Sequence, residues 1–226
     1  CRSVDGVSRI ELCCVCCKGV SEEIESFMVT LHASQHTHAR KQTKNSVAGP
    51  GNNGGDALVS ARHLHHFGYE PSILYPKRSN KRLFENLVSQ CKALNIPFQK
   101  KDEVSETSLN KDYDVILDGI FGFSFKGDSI RSPFDRIMDS IRKCDVPIVS
   151  IDVPSGWHVE SGDIHNIGLT PKVLISLTAP KMCATKFKGK YHFLGGRFVP
   201  PAIMKKYTLE LPDYPGVEQV VELRSS

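Results

Sequence analysis

The run Gly49-Pro50-Gly51-Asn52-Asn53-Gly54-Gly55-Asp56 packs four glycines, two carboxamides and one carboxylate into eight residues, directly ahead of a helix-like pattern. Glycine-dense loops cost conformational entropy to order. They are accounted for where the backbone must approach a ligand closely. Loop amides are then free to meet an anion, and a helix N-terminus behind them adds positive potential. A plain strand-to-helix turn is the alternative. Gly49 to Gly54 satisfies the pattern G-x-G-x-x-G, but a dinucleotide fingerprint also needs an acid about 20 residues on to hold a ribose. The chain there reads Tyr75-Pro76-Lys77-Arg78. Lys77 and Arg78 could meet a phosphate, although surface charge is the plainer reading. A P-loop needs Lys then Ser or Thr after its last glycine; Gly55 and Asp56 follow here, so that reading fails. The oxygens of Asn52, Asn53 and Asp56 suit a site that handles a cation or sugar hydroxyls as well as phosphate.

Two further segments carry chemistry. Asp118 closes the apolar run Val115-Ile116-Leu117 and precedes Gly119-Ile120-Phe121-Gly122-Phe123-Ser124-Phe125-Lys126-Gly127-Asp128. That second loop could cover a planar ring and neutralise a phosphate through Lys126; equally, its phenylalanines could anchor a loop to the core. Asp152 ends Ile148-Val149-Ser150-Ile151 and precedes Val153-Pro154-Ser155-Gly156-Trp157. A carboxylate at a strand end beside a rigid turn is a general acid/base candidate; a loop-capping carboxylate is the alternative.

The elements that must hold these residues follow from hydrophobic spacing. Asp56–Gly68 reads as a helix stopped by glycine. Ser72–Tyr75 reads as a strand. Asn80–Leu94 reads as a helix capped by Asn80, with Leu83, Phe84, Leu87, Val88, Cys91 and Leu94 on one face. Ile96–Phe98 and Tyr113–Ile120 are strands. Ser132-Pro133 starts a helix with Phe134, Ile137, Met138 and Ile141 inward. Val146–Val153 and Val173–Leu177 are strands. Strands alternating with helices predict an α/β fold whose parallel sheet is covered on both faces. In such folds ligands bind beyond the carboxyl ends of the strands, where the glycine loop, Asp118 and Asp152 all fall.

Composition narrows the classes. The chain has 226 residues, 40% hydrophobic, with a formal net charge of +4, which suits one domain and gives no basic stripe for nucleic acid. No apolar run approaches the length of a membrane helix. The chain opens on Cys1 and reads as a fragment, so an upstream leader is left open. Five of eight cysteines lie in the first 17 residues. Cys13-Cys14-Val15-Cys16-Cys17 lacks the second pair expected of a zinc site, although His32, His36 and His38 could add ligands. The scattered remainder argues for reduced thiols, with Cys91 acting as a small hydrophobe.

Taken together, Gly49 to Asp56, Asp118-Gly119-Ile120-Phe121-Gly122 and Ile151-Asp152-Val153-Pro154-Ser155-Gly156-Trp157 resemble the YjeF N-terminal domain family. Leu177-Thr178-Ala179-Pro180-Lys181 and Leu194-Gly195-Gly196-Arg197-Phe198-Val199-Pro200-Pro201 extend the resemblance, which covers about Val47 to Leu223. It implies a Rossmann-like three-layer sandwich with a mostly parallel central sheet. It implies an isomerase of nicotinamide nucleotide repair, which interconverts the R and S forms of NADH and NADPH hydrated at C6. On this resemblance Asp152 is catalytic. Substrate would meet Asn52, Asn53, Gly54, Gly55, Asp56, Gly122, Phe123, Ser124, Phe125, Lys126, Gly127, Asp128 and Asp152. A potassium ion would be held by Asn53, Asp118 and Ser155. The resemblance further implies functional partnership with a separate dehydratase, binding of apolipoprotein A-I, a homodimer, and a mitochondrial or cytoplasmic location with secretion also known in the family.

The chain departs from the family's pattern in places. A strongly apolar strand usually runs into the glycine loop, but Lys41-Gln42-Thr43-Lys44-Asn45-Ser46 is polar. The expectation is therefore a first strand shortened or missing, with 1–46 an atypical segment, disordered in part, ahead of a domain at 47–226. Ala57 stands where glycine is usual, and His158 where aspartate is usual. The rival reading is a non-catalytic binding protein of the same fold that acts through protein partners. An ordinary nicotinamide dehydrogenase is disfavoured by the missing ribose acid.

Overall fold

The computed structural model describes residues 43–126 and 129–223. The cysteine cluster at 13–17, His32, His36, His38, Gly127 and Asp128 lie outside them. Eight described strands form one sheet in the order β3-β2-β1-β4-β5-β6-β7-β8. They are β1 (Thr43–Ala48), β2 (Glu70–Leu74), β3 (Phe98–Gln99), β4 (Val115–Gly119), β5 (Ile148–Ile151), β6 (Val173–Leu177), β7 (Tyr191–Gly195) and β8 (Val220–Glu222). All neighbours pair parallel except β8, which closes antiparallel on β7. The helices are α1 (Asn52–His66), α2 (Arg82–Ala93), α3 (Glu106–Asp112), α4 (Phe134–Lys143) and α5 (Pro201–Tyr207). One core layer sets Ala57, Leu58, Ala61 and Leu64 of α1 and Val88 and Cys91 of α2 against Val115, Leu117, Val149 and Ile151. The other sets Leu109 of α3 and Phe134, Ile137, Met138 and Ile141 of α4 against Val47, Ile116 and Ile148. This is the α/β three-layer sandwich that the alternating pattern predicts.

The first strand corrects the expectation of its loss. β1 has six residues, lies between β2 and β4, and pairs with both along its length. Polar side chains do not prevent this, because the backbone bonds of a strand are indifferent to residue type. Asp114 helps to tie the strand's start: Thr43 N donates to its Oδ2 at 3.0 Å, and Asp114 N donates to the Thr43 carbonyl at 3.0 Å. Ser46 Oγ donates to the Ala57 carbonyl of α1 at 3.0 Å. Lys44 and Asn45 are the costly residues. Both are buried, and Lys44 Nζ and both Asn45 carboxamide atoms have no hydrogen-bond partner among the described residues. Lys44 Nζ lies 5.0 Å from the centre of the Tyr69 ring, a cation–π contact.

Other boundaries shift for tertiary reasons. α1 begins at Asn52, four residues before the sequence pattern suggests, so half of the glycine run is helical. Asn80 does not cap α2, whose N-cap is Lys81, and Ser132 does not cap α4, whose N-cap is Pro133. Ala57 fits because its Cβ lies over Gly119, where a side chain would come within 2.5 Å. Cys91 is buried as expected, its thiol directed at the Leu58 carbonyl 3.5 Å away.

Burial lowers the Lys44 ammonium to about 8, against the pull of Asp114. The folded protein therefore sheds that proton near pH 8, while the unfolded chain keeps it to about 10.5. Between these values the unfolded state binds more protons, so stability rises with pH. Lys44→Met should raise the unfolding temperature at pH 7 by removing a penalty on the order of 3 kcal/mol. Its advantage should shrink as pH rises through that window. Cys91 and Cys183, both raised by burial to about 11, act in the opposite sense above pH 9. The comparison is therefore between the two proteins at each pH, by thermal melts. An advantage equal at pH 7 and 10.5 would assign the effect to packing instead.

Candidate active site

The sheet order reverses between β1 and β4, and the crevice beyond their carboxyl ends is where an open α/β sheet binds ligand. The glycine run leaves β1 there. Its glycines serve packing first. A Cβ on Gly49 would sit 1.7 Å from the Ile120 carbonyl oxygen, and one on Gly54 would sit 1.8 Å from the Gly49 carbonyl oxygen. Gly49 N donates to the Gly119 carbonyl at 3.0 Å. Gly55 faces the Phe84 ring of α2. The first turn of α1 is thus laid directly on the end of β4. Gly51 is its N-cap and brings no capping side chain, and no acid lies in the first turn. The positive end of the helix is left for a ligand.

Asp118 is fully buried at the end of β4. Its Oδ2 accepts from Ser150 Oγ at 2.7 Å and Ser155 N at 3.0 Å, and its Oδ1 accepts from Ser155 Oγ at 2.5 Å and Ile120 N at 3.2 Å. Burial raises its carboxyl above the usual range, opposed by those hydrogen bonds. Ser155 Oγ also accepts from Phe121 N at 2.9 Å. Asn53 Nδ2 donates to the Phe121 and Ile151 carbonyls at 2.8 and 3.1 Å. Its Oδ1 is buried without a hydrogen-bond partner among the described residues. Of Asn53, Asp118 and Ser155, named as one cation set, Asn53 and Ser155 both bond to the Phe121 backbone, and Asp118 is linked to it through Ser155. Their donors are all oxygen, and the orphaned Asn53 Oδ1 leaves an acceptor for a hard cation. No cluster of three or more His, Cys, Asp or Glu occurs among the described residues.

Asp152 stands just beyond β5 with φ 68°, in the left-handed region that aspartate tolerates better than most residues. Its Oδ2 accepts from Phe123 N at 3.2 Å, and a Cβ on Gly122 would lie 3.2 Å from the same oxygen. Its Oδ1 is ion-paired with Lys181 Nζ. Lys181 also donates to the Leu177 and Ala179 carbonyls at 2.8 and 3.2 Å. The turn that carries it begins at Thr178, φ 70°, an unusual backbone for a β-branched residue. Two strained residues at adjacent strand ends thus bring a carboxylate and an ammonium together.

Lys181 falls in the Leu177–Lys181 motif of the resemblance but is given no role in the site there. The usable signal was its position four residues past a strand end, the same edge that marks Asp118 and Asp152. Of the expected substrate residues, Asn53, Gly54, Gly55 and Asp56 are buried in the first turns of α1, and Asn52 is exposed. Phe123, Ser124 and Lys126 are exposed, with Phe125 half-buried and stacked on Phe121 at 4.7 Å. His158 Nδ1 accepts from Glu160 N and Ser161 N at 3.3 and 3.2 Å.

A family model described as "YjeF-related protein N-terminus" matches residues 12–183. A protein of Arabidopsis thaliana, "Pyridoxine/pyridoxamine 5'-phosphate oxidase 1, chloroplastic", is 52% identical over 188 residues, which are 79% of this chain and 35% of that protein. The chain thus spans about a third of that relative's length. The crystal structure of yeast ynu0 (YNL200c) superposes with a TM-score of 0.87 at 37% identity, covering 96% of this chain and 91% of that one.

The contact distances make a prediction that separates the glycines. Gly54→Ala should cost about 3 kcal/mol or more by overpacking. Gly51→Ala meets nothing within 4 Å and should leave the melting curve near that of the parent. Equal effects in thermal or urea unfolding would contradict the close packing of the loop on β4.

Proposed function

The chain belongs to the family of YjeF-related protein N-termini, and from that premise we propose that it is an isomerase that epimerises NADH and NADPH hydrated at C6. The observation that carries the reading is the Asp152–Lys181 ion pair, set at a strand end beside the Phe121–Lys126 turn and the open end of α1. Epimerisation at C6 needs the hydroxyl to leave and water to return to the opposite face. The Asp152–Lys181 pair would pass a proton to the departing hydroxyl, which leaves as water. The lone pair of the ring nitrogen stabilises the cation that remains. Water adding to the other face releases a proton, which restores the pair. The reaction consumes nothing and needs no redox partner.

Potassium fits this proposal through Asn53 Oδ1, the Asp118 carboxylate and Ser155 Oγ. Bound there, it would supply positive potential beside the reacting ring. The chain's own residues do the rest: Ser155 and Asn53 hold the Phe121 backbone, and Phe123 N orients the Asp152 carboxylate. The name of the Arabidopsis relative describes an oxidase, but about two-thirds of that protein lies outside the match. Its name places it in the chloroplast, and we extend only a location in an organelle to this chain. No helix among the described residues is long and apolar enough to cross a membrane. Partnership with a dehydratase that consumes one epimer follows from the same reading.

The test is chiral chromatography of R and S hydrates incubated with the protein. Asp152→Asn and Lys181→Gln should each slow equilibration by about 10²-fold or more while the melting curve stays cooperative. Replacing potassium by a bulky organic cation should slow it as well. Oxidation of pyridoxine 5'-phosphate with no exchange of the hydrates would overturn the proposal. Folded protein that leaves both hydrates untouched would favour a binding protein of the same fold.

A further inference from the structure

A surface cavity of about 330 Å³ adjoins the site, and the cations lining it have no role in the proton chemistry. Lys77, Lys126 and Arg131 line it, together with Pro50 of the glycine run and the rings of Phe121 and Phe125. The two rings stack at 4.7 Å with an interplanar angle of 13°. No carboxylate is among the described residues that line it. Three cations facing one cavity, with no counter-charge among the described residues that line it, make a receptor for an anion of more than one charge.

The position of Lys77 says which anion. In open α/β sheets that bind dinucleotides, the pyrophosphate lies at the N-terminus of the first helix. The end of the second strand faces the adenosine ribose. An acid there holds a 2'-hydroxyl, and a cation accommodates a 2'-phosphate. Here β2 ends at Leu74, with no acid in the turn that follows. That turn is pinned by Ser79 N donating to Tyr75 Oη at 3.1 Å, with Lys77 midway between them. Arg78 is occupied elsewhere, over the Phe98 ring at 4.8 Å. The Phe121–Lys126 turn is shared: Phe123 N touches Asp152 while Phe121, Phe125 and Lys126 line the cavity. The same turn thus borders both the Asp152 carboxylate and the cavity.

We infer that Lys77 and Arg131, with Lys126, form a subsite for the 2'-phosphate of an adenosine nucleotide, so that the protein prefers the phosphorylated dinucleotide. The inference rests on the dinucleotide reading for its biological meaning, but its test does not. Calorimetric titrations would compare adenosine 2',5'-bisphosphate, adenosine 3',5'-bisphosphate and adenosine 5'-monophosphate at one ionic strength. The 2',5'-bisphosphate should bind about tenfold more tightly than the other two, the effect of roughly one charge-assisted hydrogen bond. Lys77→Ala and Arg131→Ala should each erase most of that ratio and leave the monophosphate unchanged. Both positions are exposed, so the fold should survive, as circular dichroism would check.

Equal binding of the two bisphosphates, or a ratio that survives the double variant, overturns the subsite. The activity is separable. A 2'-phosphate preference in a protein that leaves both hydrates untouched keeps the subsite and removes the epimerase reading. Epimerisation of NADH and NADPH hydrates with equal kcat/KM and no nucleotide preference does the reverse.

Discussion

The buried carboxylate of Asp118 is the constraint on which the rest of the site depends. A charge at that depth is costly unless donors surround it. Its donors come from β5 (Ser150), from the turn after Asp152 (Ser155 N and Oγ) and from its own strand end (Ile120 N). Ser155 in turn holds Phe121, and Phe121 holds Asn53. One carboxylate thus links β4, β5, the second loop and the first turn of α1. Small shifts at Asp118 would pass to Ser155, Phe121 and Asn53 through these bonds.

The packing of backbone on backbone supplies the second constraint. Gly49, Gly54 and Gly119 let the start of α1 sit directly on the end of β4. This closeness, and not ligand approach alone, accounts for glycine at positions 49 and 54. The two explanations are compatible, since a helix seated this low presents its positive end at the sheet's switch point. Strain at Asp152 and Thr178 adds to the arrangement, because neither backbone would persist without neighbours that over-determine it.

The elements themselves were legible where apolar spacing was strong. Val173–Leu177 has the bounds that its spacing predicts, and the α4 stripe faces the core as read; of the α2 stripe Phe84, Val88 and Cys91 are buried and Leu87 and Leu94 partly so, whereas Leu83 is exposed. Legibility failed where tertiary contacts replace apolar content. β1 carries Lys44, Asn45 and Ser46 through the middle of the sheet, and composition alone argues against a strand there. Pairing on both sides, the Asp114 tie and Ser46's bond to α1 hold it in place. The start of α1 was hidden for a related reason. Glycine is a poor helix former, yet Gly54 and Gly55 are helical, and at Gly54 a side chain would run into the Gly49 carbonyl.

For the site, residue types and strand-end positions singled out Asp118, Asp152 and the oxygens of the glycine loop, Asn53 among them, whereas the role given to Ser155 came only from the family resemblance. Each stands at the carboxyl edge of a parallel sheet, and the alternation of strands and helices dictates that edge. Sequence could not say that Lys181, far along the chain, would close on Asp152, because that pairing depends on β5 and β6 lying side by side. Nor could it say that Lys77 and Arg131 share a cavity, since they belong to the turn after β2 and the approach to α4. Local chemistry is written in consecutive residues. The company that a charge keeps is decided by strand order, which no local pattern contains.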